Sequence, residues 1–171
     1  MNILILGWVI SLAIQPSSDV SEVIRMFGGI TYRIGGQDVP GGYDKSPEVG
    51  PVASAIAAAA DGSLTGDVSL DEALMVVYAA YESALRPCAV GDGGKSLGVW
   101  QLQGVARAIA CDPQRAAAHW FAAARASSAL CGALPEEERL AALASGDCQH
   151  ARRLVRERYA LARRLVGSAN E

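Results

Sequence analysis

The sequence predicts an all-α fold: a single helical domain carrying an irregular N-terminal arm. Three observations predict it. Hydrophobic residues make up 51% of the 171 positions, yet most of that share is small, with alanine runs at Ala57–Ala60 and Ala116–Ala118 and only two Phe and three Trp. Alanine is the best helix former and lets helices approach closely. Helix start signals recur at Ser69-Leu70-Asp71-Glu72, Asp112-Pro113 and Pro135-Glu136-Glu137-Glu138. The last segment carries apolar residues at helical spacing. The length suits one domain.

The elements follow in chain order. Asn2 to Ile14 is almost wholly apolar, with Ser11 as a late interruption. It is shorter than the roughly 20 residues of a membrane-spanning helix. Three readings stay open for it: a signal-peptide core, although the first basic residue is Arg25; a membrane anchor; or a buried element of the fold or of an assembly. Residues 15–51 are rich in Gly and Pro, which break regular elements. A short strand pair across Ile30–Ile34, turning at Gly35-Gly36, is expected there. Residues 1–51 thus form the arm and residues 52–171 the helical domain.

Helices begin after Pro51, with a short one over Val52–Ala60 stopped by Asp61-Gly62. At Ser69, a capping box is expected, Ser69 capping an amide three residues on and Glu72 reaching back. The helix it starts runs to Leu85 and ends at Arg86-Pro87. Apolar residues surround it on most faces, so it should be the buried central helix. A glycine-rich loop spans Gly91–Gly98, and Val99–Gln103 opens a further ordered segment. Asp112 caps a helix with Pro113 at its first position, running through Ala129. Proline and three acids start the next at Pro135. The last spans about His150 to Val166, with Leu154, Val155, Tyr159, Ala162 and Leu165 recurring on one face.

Charge and cysteines bound the chemistry. The net charge is −3, but 13 of the 15 basic residues are Arg and six of them lie between Arg152 and Arg164. A block of this kind is either the solvated face of a terminal helix or a surface for an anionic partner. Cys88, Cys111, Cys131 and Cys148 form no CxxC pair, which argues against a zinc ribbon or a thioredoxin-like motif. They allow three disulfide pairings, or four free thiols. With His119 and His150 the only histidines, a metal cluster is poorly supported. No metal or organic cofactor and no nucleic-acid partner is implied.

Glu82 is the outlier of the central helix. Burial and the negative end of a helix dipole both favour the protonated carboxyl, and such a group can serve as a general acid. The alternative is a simple ion pair with Arg86, one turn on. The following residues bear on the choice. Glu82-Ser83 is followed by Gly91-Asp92-Gly93-Gly94-Lys95-Ser96-Leu97-Gly98-Val99-Trp100-Gln101, which meets the pattern Gly-Asp-x-Gly-x-x-x-Gly-x-x-Gln without a gap.

On these motifs the chain resembles the lysozyme-like superfamily, in particular goose-type lysozymes and the related lytic transglycosylases. The resemblance covers residues 69–104 in detail and extends over 111–166 only in helix content. It implies an enzyme that cuts the β-1,4 bond between N-acetylmuramic acid and N-acetylglucosamine in peptidoglycan glycan strands. It assigns Glu82 as general acid, then base. Asp92 is the candidate for positioning the attacking water, which favours hydrolysis over the anhydro product of transglycosylases; the opposing reading is an ordinary turn aspartate. Ser83, Gly98, Trp100 and Gln101 are the candidate substrate-binding residues, with the loop glycines giving the backbone access to a sugar chain. Relatives carry a Tyr or an Asn-x-Gly element late in the fold. The corresponding Leu143–Cys148 has neither, so part of the sugar-binding wall has no assigned residue.

A rival reading belongs to a different class: a structural or assembly component with a lysozyme-like fold, such as a phage virion, tail or secretion-machine part, docking through residues 1–51. Membrane contact through residues 1–14 is a further candidate partner interaction. Either reading puts the protein outside the cytoplasm, in the periplasm or secreted, or in a virion. A carbohydrate-binding module without catalysis is the third reading; it requires Glu82 to be neutralised by Arg86.

Overall fold

The structure is a computed structural model, and it describes residues 31–34, 37–40 and 49–167. The strand pair expected in the arm is present: β1 (Thr31–Ile34) and β2 (Gln37–Pro40) pair antiparallel, with Tyr32 opposite Val39. The apolar segment 1–14 and the rest of the arm lie outside the described residues.

Six helices follow among the described residues. They are α1 (Val49–Ala59), α2 (Val68–Ser83), α3 (Arg107–Ala110), α4 (Pro113–Leu130), α5 (Ala141–Ser145) and α6 (Arg152–Gly167). A small antiparallel sheet sits between α2 and α3. Its strands β3 (Val90–Gly91), β4 (Ser96–Leu97) and β5 (Leu102–Gln103) run in sequence order, with Gly91 opposite Ser96 and Leu97 opposite Leu102. The expected helical fold is found as a mainly-α one, with this small sheet added to it. Helix α1 also starts before the expected boundary at residue 52.

The central helix is α2. It is buried on nearly every face: Leu70, Ala73, Leu74, Met75, Val77, Tyr78, Ala79 and Ala80 are all in the core. It packs chiefly on α6, while α1 packs on α4. Trp120 of α4 lies against Tyr78, with ring centroids 5.2 Å apart, and 6.3 Å from Trp100. These large rings fill the space that a small-residue core leaves open.

Both ends of α2 differ from expectation. The cap is Asp67, whose carboxylate accepts hydrogen bonds from the Ser69 and Leu70 amides at 2.8 and 3.4 Å. The Ser69–Glu72 capping box does not form. Asp67 already meets the first free amides, and Asp71 is occupied with the preceding turn through Leu64 N, Thr65 N and Thr65 Oγ1. Glu72 is then carried into the core. The helix also stops earlier than Arg86-Pro87. Ala84 and Leu85 both take left-handed backbone angles, with φ of 58° and 59°. Their amides close back on Ala80 O and Ala79 O, the paired bonds that terminate a helix. Two successive non-glycine residues in this region carry a steric cost of about 1 kcal/mol each, and the site begins where that strain is held.

The expected helix at Pro135 is reduced to a 3-10 turn (Glu136–Glu138) followed by the short α5. Tertiary bonds explain the break. Glu138 is buried and pairs with Arg152 and Arg156 of α6. Ser127 Oγ donates to Arg139 O and accepts from Leu143 N, both at 2.9 Å. A continuous helix would pull these groups apart. The cysteines pair as Cys88–Cys111 and Cys131–Cys148. The first ties the segment after α2 to the end of α3; the second ties the end of α4 to the residues before α6. No free cysteine is found among the described residues.

The arginine block on α6 turns out to be much engaged within the chain. Arg152 and Arg156 hold Glu138, Arg153 holds Glu157, and Arg158 holds Glu82. No helix among the described residues is long and apolar enough to cross a membrane.

Candidate active-site cleft

The end of α2, the small sheet, α4, α5 and α6 enclose an open cleft of about 660 Å³, within the size range of small-ligand sites. Glu82 enters it from the last turn of α2. Asp92 enters from the 3-10 turn Asp92–Gly94 between β3 and β4. Trp100 and Trp120 form part of the floor, His119 stands on α4, and the stretch Ala142–Gly146 forms the facing wall. The segment that lacks the late Tyr or Asn-x-Gly element thus lines the cleft largely with small residues.

Glu82 is not the buried carboxyl that its helix suggests. Its side chain is 31% exposed, and its partner is not Arg86. Arg158 Nη1 donates to Glu82 Oε1 at 2.6 Å, whereas Arg86 Nε donates to Ser83 O at 2.9 Å. Arg158 comes from the middle of α6 and its side chain is 9% exposed. Its guanidinium stacks on Tyr78, 4.5 Å from the ring centroid, and approaches Tyr81 at 5.4 Å. Such stacking suits the flat, weakly hydrated guanidinium. The Tyr78 hydroxyl lies close to the Arg158 side chain, with no hydrogen bond of good geometry among the described residues. Burial pushes Tyr78 up to about 12, although the Arg158 charge pulls the other way. It therefore remains a donor at any physiological pH.

Asp92 is exposed and held by a short relay. Ser96 Oγ donates to Asp92 Oδ2 at 2.5 Å, and Gln103 Nε2 donates to Ser96 Oγ at 3.3 Å. Ser96 and Gln103 face each other across β4 and β5, so the sheet orients the carboxylate. Asp92 itself sits at φ 49°, a conformation that Asp tolerates better than most residues.

The four expected substrate-binding residues are largely turned to internal work. Ser83 is buried, and its hydroxyl donates to Ala79 O at 3.2 Å, holding the helix end. Trp100 Nε1 donates to Met75 O at 3.0 Å and is packed in the core with one part at the cleft floor. Gln101 lines the cleft, yet its amide nitrogen bonds Gly98 O at 2.9 Å and Ala89 O at 3.3 Å. Its side-chain oxygen fills the space over Gly91, where a Cβ would lie 2.1 Å away. Gly98 does not line the cleft. It has φ +79°, and a Cβ there would meet Ala110 O at 1.9 Å. The glycines at 91 and 98 are therefore packing glycines, while Gly93 and Gly94 have open space beside them. Substituting Gly98→Ala should cost about 3 kcal/mol or more, since backbone clash and left-handed strain act together. Urea unfolding measures this; a loss within about 0.5 kcal/mol would contradict the packing.

Sequence reasoning missed Arg158, His119 and the Ser96–Gln103 relay. Arg158 had a signal: it stands three residues after Val155 and four before Ala162, on the apolar face of an arginine-rich helix. Among the described residues no group of His, Cys, Asp and Glu has the arrangement to hold a metal ion. Comparison with protein-family models, curated proteins and solved structures finds no match.

Proposed function

We propose that the protein cleaves peptidoglycan glycan strands at the β-1,4 bond between N-acetylmuramic acid and N-acetylglucosamine, with Glu82 as acid and then base. The observation that carries this is the meeting of Glu82 and Asp92, from separate elements, in one open cleft. Cleavage of a glycosidic bond needs a proton on the leaving oxygen and support for an oxocarbenium-like transition state. Glu82, accessible on the cleft wall, supplies the proton. Its conjugate base then takes a proton from the attacking nucleophile. Asp92 Oδ2 is held by Ser96, and Oδ1 accepts no hydrogen bond from a described residue. That oxygen is placed to orient a water, which favours hydrolysis. The paired cysteines suit an oxidising, extracytoplasmic setting, where disulfides persist.

Digestion of purified peptidoglycan followed by mass analysis of the fragments tests the reading. Hydrolysis leaves reducing muramic ends; attack by the substrate's own 6-hydroxyl leaves 1,6-anhydro ends, lighter by one water. The wild type is expected to give reducing ends. Asp92→Asn is expected to slow their release about tenfold or more, in the range of a lost general-base or positioning contact. Digestion products unchanged in rate and type would remove Asp92 from the mechanism, and intact strands after exposure to folded protein would refute the activity.

A further inference from the structure

Three buried side-chain polar atoms lack a partner among the described residues, and two of them belong to neighbouring cleft residues: the Tyr78 hydroxyl and Arg158 Nε. The third, Glu72 Oε2, lies elsewhere. Buried polar groups are nearly always satisfied, so these two atoms beside one cleft leave hydrogen-bonding capacity that a ligand group can meet. Both are donors. The guanidinium offers five donors in a rigid fork, and among the described residues its hydrogen bond goes to Glu82. A planar anion matches such a fork, and a carboxylate is the planar anion that a glycan of this class carries.

We propose that Arg158 recognises the free lactyl carboxylate of an N-acetylmuramoyl residue, taking it in exchange for Glu82, so that the preferred substrate is a glycan strand already stripped of its stem peptides. This rests on the glycan-cleaving function argued above. In an intact strand the lactyl group is an amide and carries no charge. An amide hydrolysis must therefore come first and supply the carboxylate.

The exchange links recognition to chemistry. Arg158 is nine-tenths buried and needs a counter-ion. In the structure Glu82 is that counter-ion, and its Oε1 is committed to the guanidinium. A substrate carboxylate takes over this role one for one. Glu82, released from the guanidinium, then faces the leaving oxygen from the cleft wall. An amide cannot replace the counter-ion, so it leaves the Arg158–Glu82 pair closed. Arg158 is in this sense a positioning residue, acting on the bond through Glu82.

The test compares one disaccharide, N-acetylglucosamine linked to N-acetylmuramic acid, as the free acid and as its lactyl amide. Calorimetry is run on Glu82→Gln, in which Arg158 has lost its charged partner. The free acid is expected to bind at least tenfold more tightly than the amide. Arg158→Met is expected to abolish that preference, and Arg158→Lys to restore part of it. Wild type should also cut peptide-free strands at least tenfold faster than intact ones. Equal affinity for acid and amide in Glu82→Gln overturns the exchange, even where Arg158 variants fail to fold. Equal cutting of both strand types overturns the exchange and leaves the glycosidase reading standing. No cutting of either by folded wild type overturns both.

Discussion

Glu82→Gln is expected to lower the rate of glycan cleavage by about a thousandfold, while the folded protein persists. General acid catalysis contributes roughly 10² to 10⁴ in rate, and a thousandfold corresponds to about 4 kcal/mol of barrier. Gln has the shape of Glu, and its carbonyl still accepts a hydrogen bond from Arg158 Nη1, so the end of α2 keeps its cross-link to α6. What Gln lacks is an ionisable proton. Glu82 is part-exposed but Arg158 is nine-tenths buried, so loss of the counter-ion charge should cost about 1–3 kcal/mol of stability, less than breaking a fully buried pair. Turbidity clearance of peptidoglycan, read beside a thermal melt, separates the two effects. A variant that keeps a tenth or more of the wild-type rate would remove Glu82 from the chemistry.

Much of the fold was legible because its signals are local. The span of α4 and the presence of α6 follow from an N-cap with proline and from apolar spacing, and both are found close to the expected bounds. The strand pair in the arm needs only a turn at paired glycines. The failures are tertiary. Glu138 turns the expected helix at Pro135 into a 3-10 turn because two arginines of α6 reach it. The glycines at 91 and 98 look like a flexible sugar-facing loop in sequence, yet they are required by close approach of Gln101 and Ala110 O. The same limit shaped the site. Glu82 and Asp92 stand ten residues apart and a motif links them. Arg158 stands 76 residues from Glu82, and no periodicity announces the partner. The expected neutraliser, Arg86, caps a carbonyl instead.

A buried glutamate in this helix does keep its proton to high pH, and that residue is Glu72. Glu72 is 1% exposed and its Oε2 has no partner among the described residues. It lies ten residues before Glu82, about 15 Å along the helix axis, and does not line the cleft. It has the acid's protonation without access to a substrate, so a structural cost is its expected signature. Burial raises its pKa from 4.5 to about 8, with the charges of Asp71 and Asp67 acting in the same direction. The sign follows from linkage. Below pH 4.5 the group is neutral in both states and costs nothing. Between 4.5 and 8 the unfolded chain ionises while the folded one keeps its proton, so unfolding becomes easier as pH rises, by about 1.4 kcal/mol per unit. Above 8 the loss levels off. At pH 7 it amounts to about 3 kcal/mol. Glu72→Met removes both the titration and the orphan oxygen at similar volume. It should stabilise the protein by about 3 kcal/mol at pH 7, and the gain should largely disappear at pH 4.5. Asp71, also raised by burial, is common to both proteins and drops out of the comparison. Urea midpoints of wild type and variant across pH 4.5 to 8.5 measure the difference. A gain that does not change with pH would mean that Glu72 is ionised in the folded state.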